Sequence, residues 1–356
     1  MVGQARKSAN PRLQYIDLYC GPGCYEDVAK TPSTPIKILE HAIKTPDLRD
    51  MLITFFNDAD ENHIKLLREN ISNVPHINKL KHKPIIRTGE VDDALVKRFA
   101  ALNMVATFSF VDPFGFKGLT LDLIHALAKG WGSDLVFFFS YNQINRFLTN
   151  KLVKKHIDGL FGEKLANELR EACKVVESDE REELLIEKLI KALNGLGFEY
   201  VIPYVVDMED QDRTSHYLIF ISKNRLGFKI MKGVMYSMSE DRTQGVARFG
   251  LVRAISMNRT PLLALLNTPL DDLGNEICEN YAGQTLSRAE LMRLYDETFT
   301  RNSFVDKNWR DVLSKLELNG RIVAKPASAE RRKIKGVVSF SDKTMVTFPK
   351  KKKEKL

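Results

Sequence analysis

Tyr15-Ile16-Asp17-Leu18-Tyr19-Cys20-Gly21-Pro22-Gly23 decides how this 356-residue chain is read. It is a short apolar run that ends in an acid and passes into a glycine loop, the pattern of a buried strand and a tight turn. Phe110-Val111-Asp112-Pro113-Phe114-Gly115, 95 residues beyond Asp17, repeats the pattern of strand, acid and turn. In an open parallel α/β sheet, ligands bind outside the carboxyl ends of the strands, where strand order reverses. Two acid-bearing strand ends beside a glycine loop therefore predict a nucleotide-like cofactor site.

The loop itself narrows the cofactor. A dinucleotide fingerprint needs a third glycine where Glu26 stands, and an acid in the first helical turn repels a pyrophosphate. A P-loop is excluded because no Gly-Lys-Ser/Thr follows. A cofactor without phosphates, with a sulfonium and an amino-acid tail, suits an acidic site, and S-adenosylmethionine has those features. Asp17 would attract its cationic end, directly or through water, while Gly21 and Gly23 let the backbone approach.

The segment resembles motif I of class I S-adenosylmethionine-dependent methyltransferases. That resemblance implies a cofactor set of Asp17, Cys20, Gly21, Gly23, Asp58, Glu90 and Asp112. In it, Asp58 meets the ribose hydroxyls, Lys83–Glu90 forms the third strand with its adenine-side turn, and Asp112 stands at motif IV. Asp58 follows Asp17 by 41 residues, more than the ~20 of dinucleotide folds, and an extra loop with Pro32, Pro35 and Pro46 is read into the excess. Together with Phe139-Ser140-Tyr141-Asn142-Gln143-Ile144-Asn145-Arg146-Phe147 and Tyr217-Leu218-Ile219-Phe220-Ile221-Ser222-Lys223-Asn224, the motifs resemble the three-Cys-motif partner proteins across nearly the whole chain. The resemblance implies a methyltransferase-like domain with a C-terminal winged helix, and a three-Cys-motif protein as partner.

Alternating strand and helix signals give the fold class, an α/β Rossmann-like sheet with a helical insertion plus a winged-helix domain. Leu13–Leu18, Leu52–Phe56, Lys83–Arg87, Thr107–Val111 and Asp134–Ser140 read as buried parallel strands. Ile64/Leu67 and Leu95/Phe99 mark amphipathic helices between them. Glu199–Val206 and Ser215–Ser222 read as the antiparallel pair that finishes a methyltransferase sheet. The expected domains are 1–256, with two or three inserted helices in 142–197, a linker at 257–283, a winged helix at 284–349 and a basic tail at 350–356.

Charge sets the C-terminal region apart. Residues 281–356 carry 18 Lys+Arg against 9 Asp+Glu, so their +9 exceeds the +8 of the whole chain and leaves 1–280 at −1. Such asymmetry points to DNA or RNA, with a solvated tail as the plainer alternative. Ser287 signals a helix N-cap, and Val312, Leu313 and Leu316 form the inward face of a helix over Asn308–Asn319. The short strands that follow flank a basic loop, whose Arg331, Arg332, Lys333 and Lys335 are expected to touch phosphate. A winged helix used for protein contact is the competing reading.

Methyl transfer needs an in-line nucleophile, and amino-methyltransferases of nucleic acids hold the exocyclic amine at motif IV. Asp112, Pro113 and Phe114 are the acceptor-side candidates: the carboxylate takes an amine hydrogen, and Phe114 or Phe116 stacks on the base. Asp-Pro-x-Gly is equally a type I turn. Asn145 and Arg146 are read as a cap or a substrate contact. The four cysteines and seven histidines show no metal-ligand spacing, so no metal is expected. No apolar run approaches the ~20 residues that span a bilayer, and no signal peptide is evident, so a cytoplasmic protein without membrane contact is expected.

Overall fold

The computed structural model describes residues 11–208, 211–239, 242–247, 268–299, 302–334 and 337–350, and the chain forms two compact units, Met1–Phe228 and Lys229–Leu356. In the first, β1 (Leu13–Asp17), β2 (Leu52–Asp58), β3 (Ile85–Thr88), β4 (Thr107–Val111) and β5 (Asp134–Phe139) are parallel. β6 (Tyr200–Met208) and β7 (Gln211–Ser222) complete a seven-stranded sheet of order β3-β2-β1-β4-β5-β7-β6. β7 runs antiparallel to both of its neighbours. Strand order reverses between β1 and β4, which is where the two acid-bearing motifs end.

The extra loop read into the interval after Asp17 is helical from residue 34 on, and of its prolines only Pro32 lies in an irregular stretch. α1 (Thr34–Lys44) and α2 (Pro46–Met51) occupy that part, with Pro35 and Pro46 in their first turns. Proline is suited there because its missing N–H has no intrahelical partner to lose. α1 and α3 (Glu61–Ser72) bury Ile36, Leu39, Ile64 and Leu67 with Tyr15 and Phe56 of the sheet, forming the core beneath the glycine loop. α4 (Asp93–Ala101) and α5 (Leu121–Ala128) follow β3 and β4.

The inserted region holds four α-helices: α6 (Tyr141–Phe147), α7 (Lys154–Phe161), α8 (Glu163–Ala172) and α9 (Ser178–Gly195). They pack on the sheet rather than project from it. Phe161 meets Phe139 edge-on at 6.2 Å, and the buried Tyr217 hydroxyl donates to Glu182 at 2.5 Å. Tyr217 pairs with Phe139 at the end of β5, so α9 is tied to the carboxyl end of that strand.

After α10 (Arg225–Met238) come β8 (Arg242–Thr243), β9 (Val246–Ala247) and α11 (Pro269–Asn280). β10 (Thr285–Ser287), α12 (Arg288–Thr298), α13 (Asp306–Leu318), β11 (Val323–Lys325), β12 (Lys333–Ile334), β13 (Val337–Val338) and β14 (Met345–Thr347) complete the second unit. β10, β14 and β11 form an antiparallel sheet, with Trp309, Val312, Leu313 and Tyr295 in a core of their own. Ser287 caps α12 through a capping box with Glu290. The division between units falls at Phe228/Lys229, before the expected residue 256, and the buried Lys232 ammonium of α10 pairs with Asp296 of α12.

Candidate functional site

Asp17 ends β1 at 2% exposure, and its Oδ1 accepts from the Tyr19 N–H at 3.2 Å. Burial, reinforced by the charges of Asp112 and Asp58, raises its pKa from 3.8 to about 7. The three predicted carboxylates therefore converge electrostatically at the switch point. Among the described residues no Lys, Arg or His pairs with Asp17 or Asp112, and only His63 approaches Asp58, at 3.4 Å. Among the described residues no lysine or arginine compensates the cluster.

Gly21 and Gly23 do different work. Gly21 has φ +60° and a Cβ placed on it would meet nothing within 4 Å, so its backbone borders open space. Its N–H donates to Asp58 Oδ2 at 2.9 Å, while Asp58 Oδ1 accepts from the Asp60 N–H at 2.9 Å. Each carboxylate oxygen keeps lone-pair capacity for another donor. Gly23 has φ +87°, and a Cβ there would lie 2.9 Å from Leu67 and 3.2 Å from Ile36. It admits α1 and α3 to the sheet, the packing role the missing third glycine plays elsewhere. Cys20 points into the same core, where burial first, then Asp17 and Asp58, pushes its thiol pKa up. Glu90 is exposed beyond β3, close enough for its charge to help raise the pKa of Tyr19, which burial chiefly sets.

After β4, Asp112 is half-buried, Pro113 is buried and Phe114 stands fully exposed. Burial raises the Asp112 pKa. Phe116 is not a stacking platform, because it lies in the core at 7% exposure. The chain bends at Phe114 and turns over Gly115–Gly118, with the backbone turn bond from Leu119 N–H to Phe116 O at 3.4 Å, so the turn starts at the end of Asp112-Pro113-Phe114-Gly115 and runs past it. Asn145 and Arg146 lie inside α6; the cap downstream is Asn150, which accepts from the Leu152 N–H.

Asn57 is a site residue that residue type alone does not reveal. Fully buried, it donates to Leu18 O at 3.0 Å and Gly89 O at 2.9 Å, and accepts from Arg87 at 2.6 Å. It thereby joins the loops after β1 and β3, with Asn70 holding Pro22 O at 2.8 Å from α3. The only sequence signal is an amide beside the strand-end acid. Asn57→Ala should cost about 2–3 kcal/mol, since it strands buried polar groups; urea denaturation at unchanged m-value measures it.

In the second unit, Arg331 departs from expectation. Its side chain is 4% exposed, paired with Glu317 and set 4.0 Å over the Phe340 ring. Glu317 on α13 and the aromatic face take the charge inward, so it is not free to meet phosphate. Arg332 and Lys333 are exposed, while Lys335 and the tail beyond Lys350 lie outside the described residues. Among the described residues no cluster of His, Cys, Asp and Glu could hold a metal, and no helix is long and apolar enough to cross a membrane.

No protein-family model matches the chain, and no curated protein does. Similar solved structures include the methyltransferase domain of bacterial CtHen1, at 12% identity over 62% of this chain and all of that one, TM-score 0.30. A Legionella pneumophila protein, LPL1258, shares 13% identity over 67% of this chain and 86% of that one, TM-score 0.37. A precorrin 8w decarboxylase from Methanobacterium thermoautotrophicum shares 9% over 59% and 82%, TM-score 0.29. These likenesses are distant and their names cover different chemistries. What the site does rests on its own residues.

Proposed function

We propose that the protein is an S-adenosylmethionine-dependent methyltransferase of the three-Cys-motif partner type, acting on nucleic acid. The observation that carries this is the cluster of Asp17, Asp58 and Asp112 at the switch point, with no lysine or arginine partner among the described residues, beside a glycine loop open to ligand. Such a site repels phosphates and suits a cationic cofactor. When bound, S-adenosylmethionine supplies a methyl group on a positively charged sulfur. Asp58 would hold the ribose hydroxyls with its remaining lone pairs, and Asp17 would offset the positive charge. Glu90 would stand at the ribose and adenine side, and the Cys20–Gly23 backbone would line the approach. The sheet order, with β7 reversed between β5 and β6, supports the methyltransferase-like fold.

Asp112 would orient the acceptor. Burial raises its proton affinity and makes it a better acceptor from an amine, while the exposed Phe114 ring offers a stacking face. In the second unit, the succession β10, α12, α13, β11, hairpin and β14 supports the winged-helix reading, and its net positive charge supports a polyanionic acceptor.

Calorimetric titration with S-adenosylhomocysteine tests the cofactor site. Asp58→Ala should weaken binding by roughly 1.5–3 kcal/mol, the worth of a charge-assisted hydrogen bond. Wild-type protein that fails to bind at millimolar ligand removes the reading. One observation favours a second reading, a non-catalytic adaptor: Leu226, Ile230, Val234 and Met238 are spaced every fourth residue on α10 and are 49–69% exposed. A contiguous exposed apolar stripe is a docking feature. Transfer of labelled methyl to DNA or RNA separates the two.

A further inference from the structure

We propose that the cleft between α10 and the first turns of α13, in the second unit, binds the phosphate of a nucleotide. The cleft has a volume of about 300 Å³ and is lined by Lys229, Lys232, Lys307 and Arg310 against the two carboxylates Asp296 and Asp306. Both carboxylates are already matched. Asp306 takes Lys229 at 3.1 Å and Arg288 at 2.8 Å. Asp296 takes Lys232 at 3.4 Å and the Asn302 amide at 3.0 Å. The Lys232 ammonium, 4% exposed, also donates to Asn302 at 2.5 Å.

That fixed polar floor leaves two positive charges over. Lys307 and Arg310 stand three residues apart on α13, hence on one face of the helix, and neither has a carboxylate partner among the described residues. An unmatched pair of cations at the mouth of a cleft with a fixed polar floor attracts an anion. The arginine fork suits phosphate oxygens in particular. The Tyr236 and Phe304 rings line the same space and supply the apolar surface that a base or sugar needs. Gly233 lies exposed on α10, where a Cβ would meet nothing within 4 Å, so the helix side of the cleft is clear. A nucleotide, free or within a single strand, combines these features; an acidic peptide lacks the planar part.

The test uses the full-length chain and a fluorescent single-stranded oligonucleotide, read by anisotropy across a salt series. Inorganic phosphate, adenosine monophosphate and an acidic peptide serve as competitors. Lys307→Ala/Arg310→Ala should weaken binding at least ten-fold and flatten the log-affinity against log-salt slope by about 1.4, roughly 0.7 for each phosphate that the protein no longer neutralises. Gly233→Phe fills the cleft and leaves every charge in place, and it should weaken binding as well. Calorimetric binding of the mononucleotide with no strand binding assigns the cleft to a free nucleotide; strand binding that the mononucleotide displaces assigns it to a polynucleotide. The inference is overturned by wild-type affinity and slope in both variants, by no binding of any phosphate probe, or by an acidic peptide competing as well as the mononucleotide. S-adenosylhomocysteine affinity should be unchanged in both variants, so failure here leaves the methyltransferase reading standing.

Discussion

Asp17→Asn should make the protein more stable at neutral pH and weaken its hold on S-adenosylmethionine. The folded state keeps the Asp17 proton to about pH 7, whereas the ordinary value for the group is 3.8. Between those values the folded state binds more protons than the unfolded one, so stability falls as pH rises. The difference is worth up to about 4 kcal/mol, at about 1.4 kcal/mol per pKa unit. Asparagine carries no charge and keeps an oxygen for the Tyr19 N–H, so it removes the decline. Urea denaturation at pH 5 and pH 8 should show a loss across that interval in the wild type that is largely missing in the variant. Equal pH dependence in the two proteins would refute the assignment of a strained carboxylate at this position. Ligand binding supplies an independent check. A cation placed beside Asp17 favours its ionised form, so S-adenosylmethionine should release protons on binding near pH 7. Calorimetric enthalpies that vary with buffer ionisation enthalpy would report that release, and Asp17→Asn should abolish the variation.

The same residues show what a sequence can and cannot reveal. β4 is found at Thr107–Val111, the expected limits, because a buried parallel strand is a local apolar run between turn signals. The antiparallel finish of the sheet is legible too, although β6 runs on to Met208 and β7 begins at Gln211 rather than Ser215. Pro35 and Pro46 pass for loop markers because proline breaks helices in their interior but opens them at the first turn. Only neighbouring structure distinguishes the two. The inward turn of Arg331 depends on Glu317 and Phe340, neither adjacent in sequence, so the basic run passes for a wing tip. Asn57 escapes notice for a related reason. Its partners, Leu18 O, Gly89 O and Arg87, come together only when three strands are in register. The convergence of Asp17 and Asp112 can be anticipated because sheet topology, rather than side-chain detail, brings strand ends together.

Asp112→Ala/Phe114→Ala should lower kcat/KM for the methyl acceptor by roughly a hundredfold or more while leaving folding and S-adenosylhomocysteine affinity near wild type. The carboxylate bond to an amine is worth roughly 1.5–3 kcal/mol and base stacking roughly 1–3 kcal/mol; each 1.4 kcal/mol or so is tenfold in rate. Neither side chain has an evident structural task. Among the described residues nothing hydrogen-bonds to the Asp112 carboxylate, although burial penalises its charge. Phe114 is 102% exposed, so its ring contributes no core packing. Burial penalises the charge of Asp112 while Phe114 faces solvent, so both are available to the acceptor proposed for this site. The single variants separate the two contributions: Asp112→Ala acts on turnover of an amine, and Phe114→Ala acts on every planar acceptor. Should Asp112→Ala lose folding and cofactor binding together, the residue belongs to the architecture of the β4 loop, and the acceptor must be sought elsewhere along the strand ends.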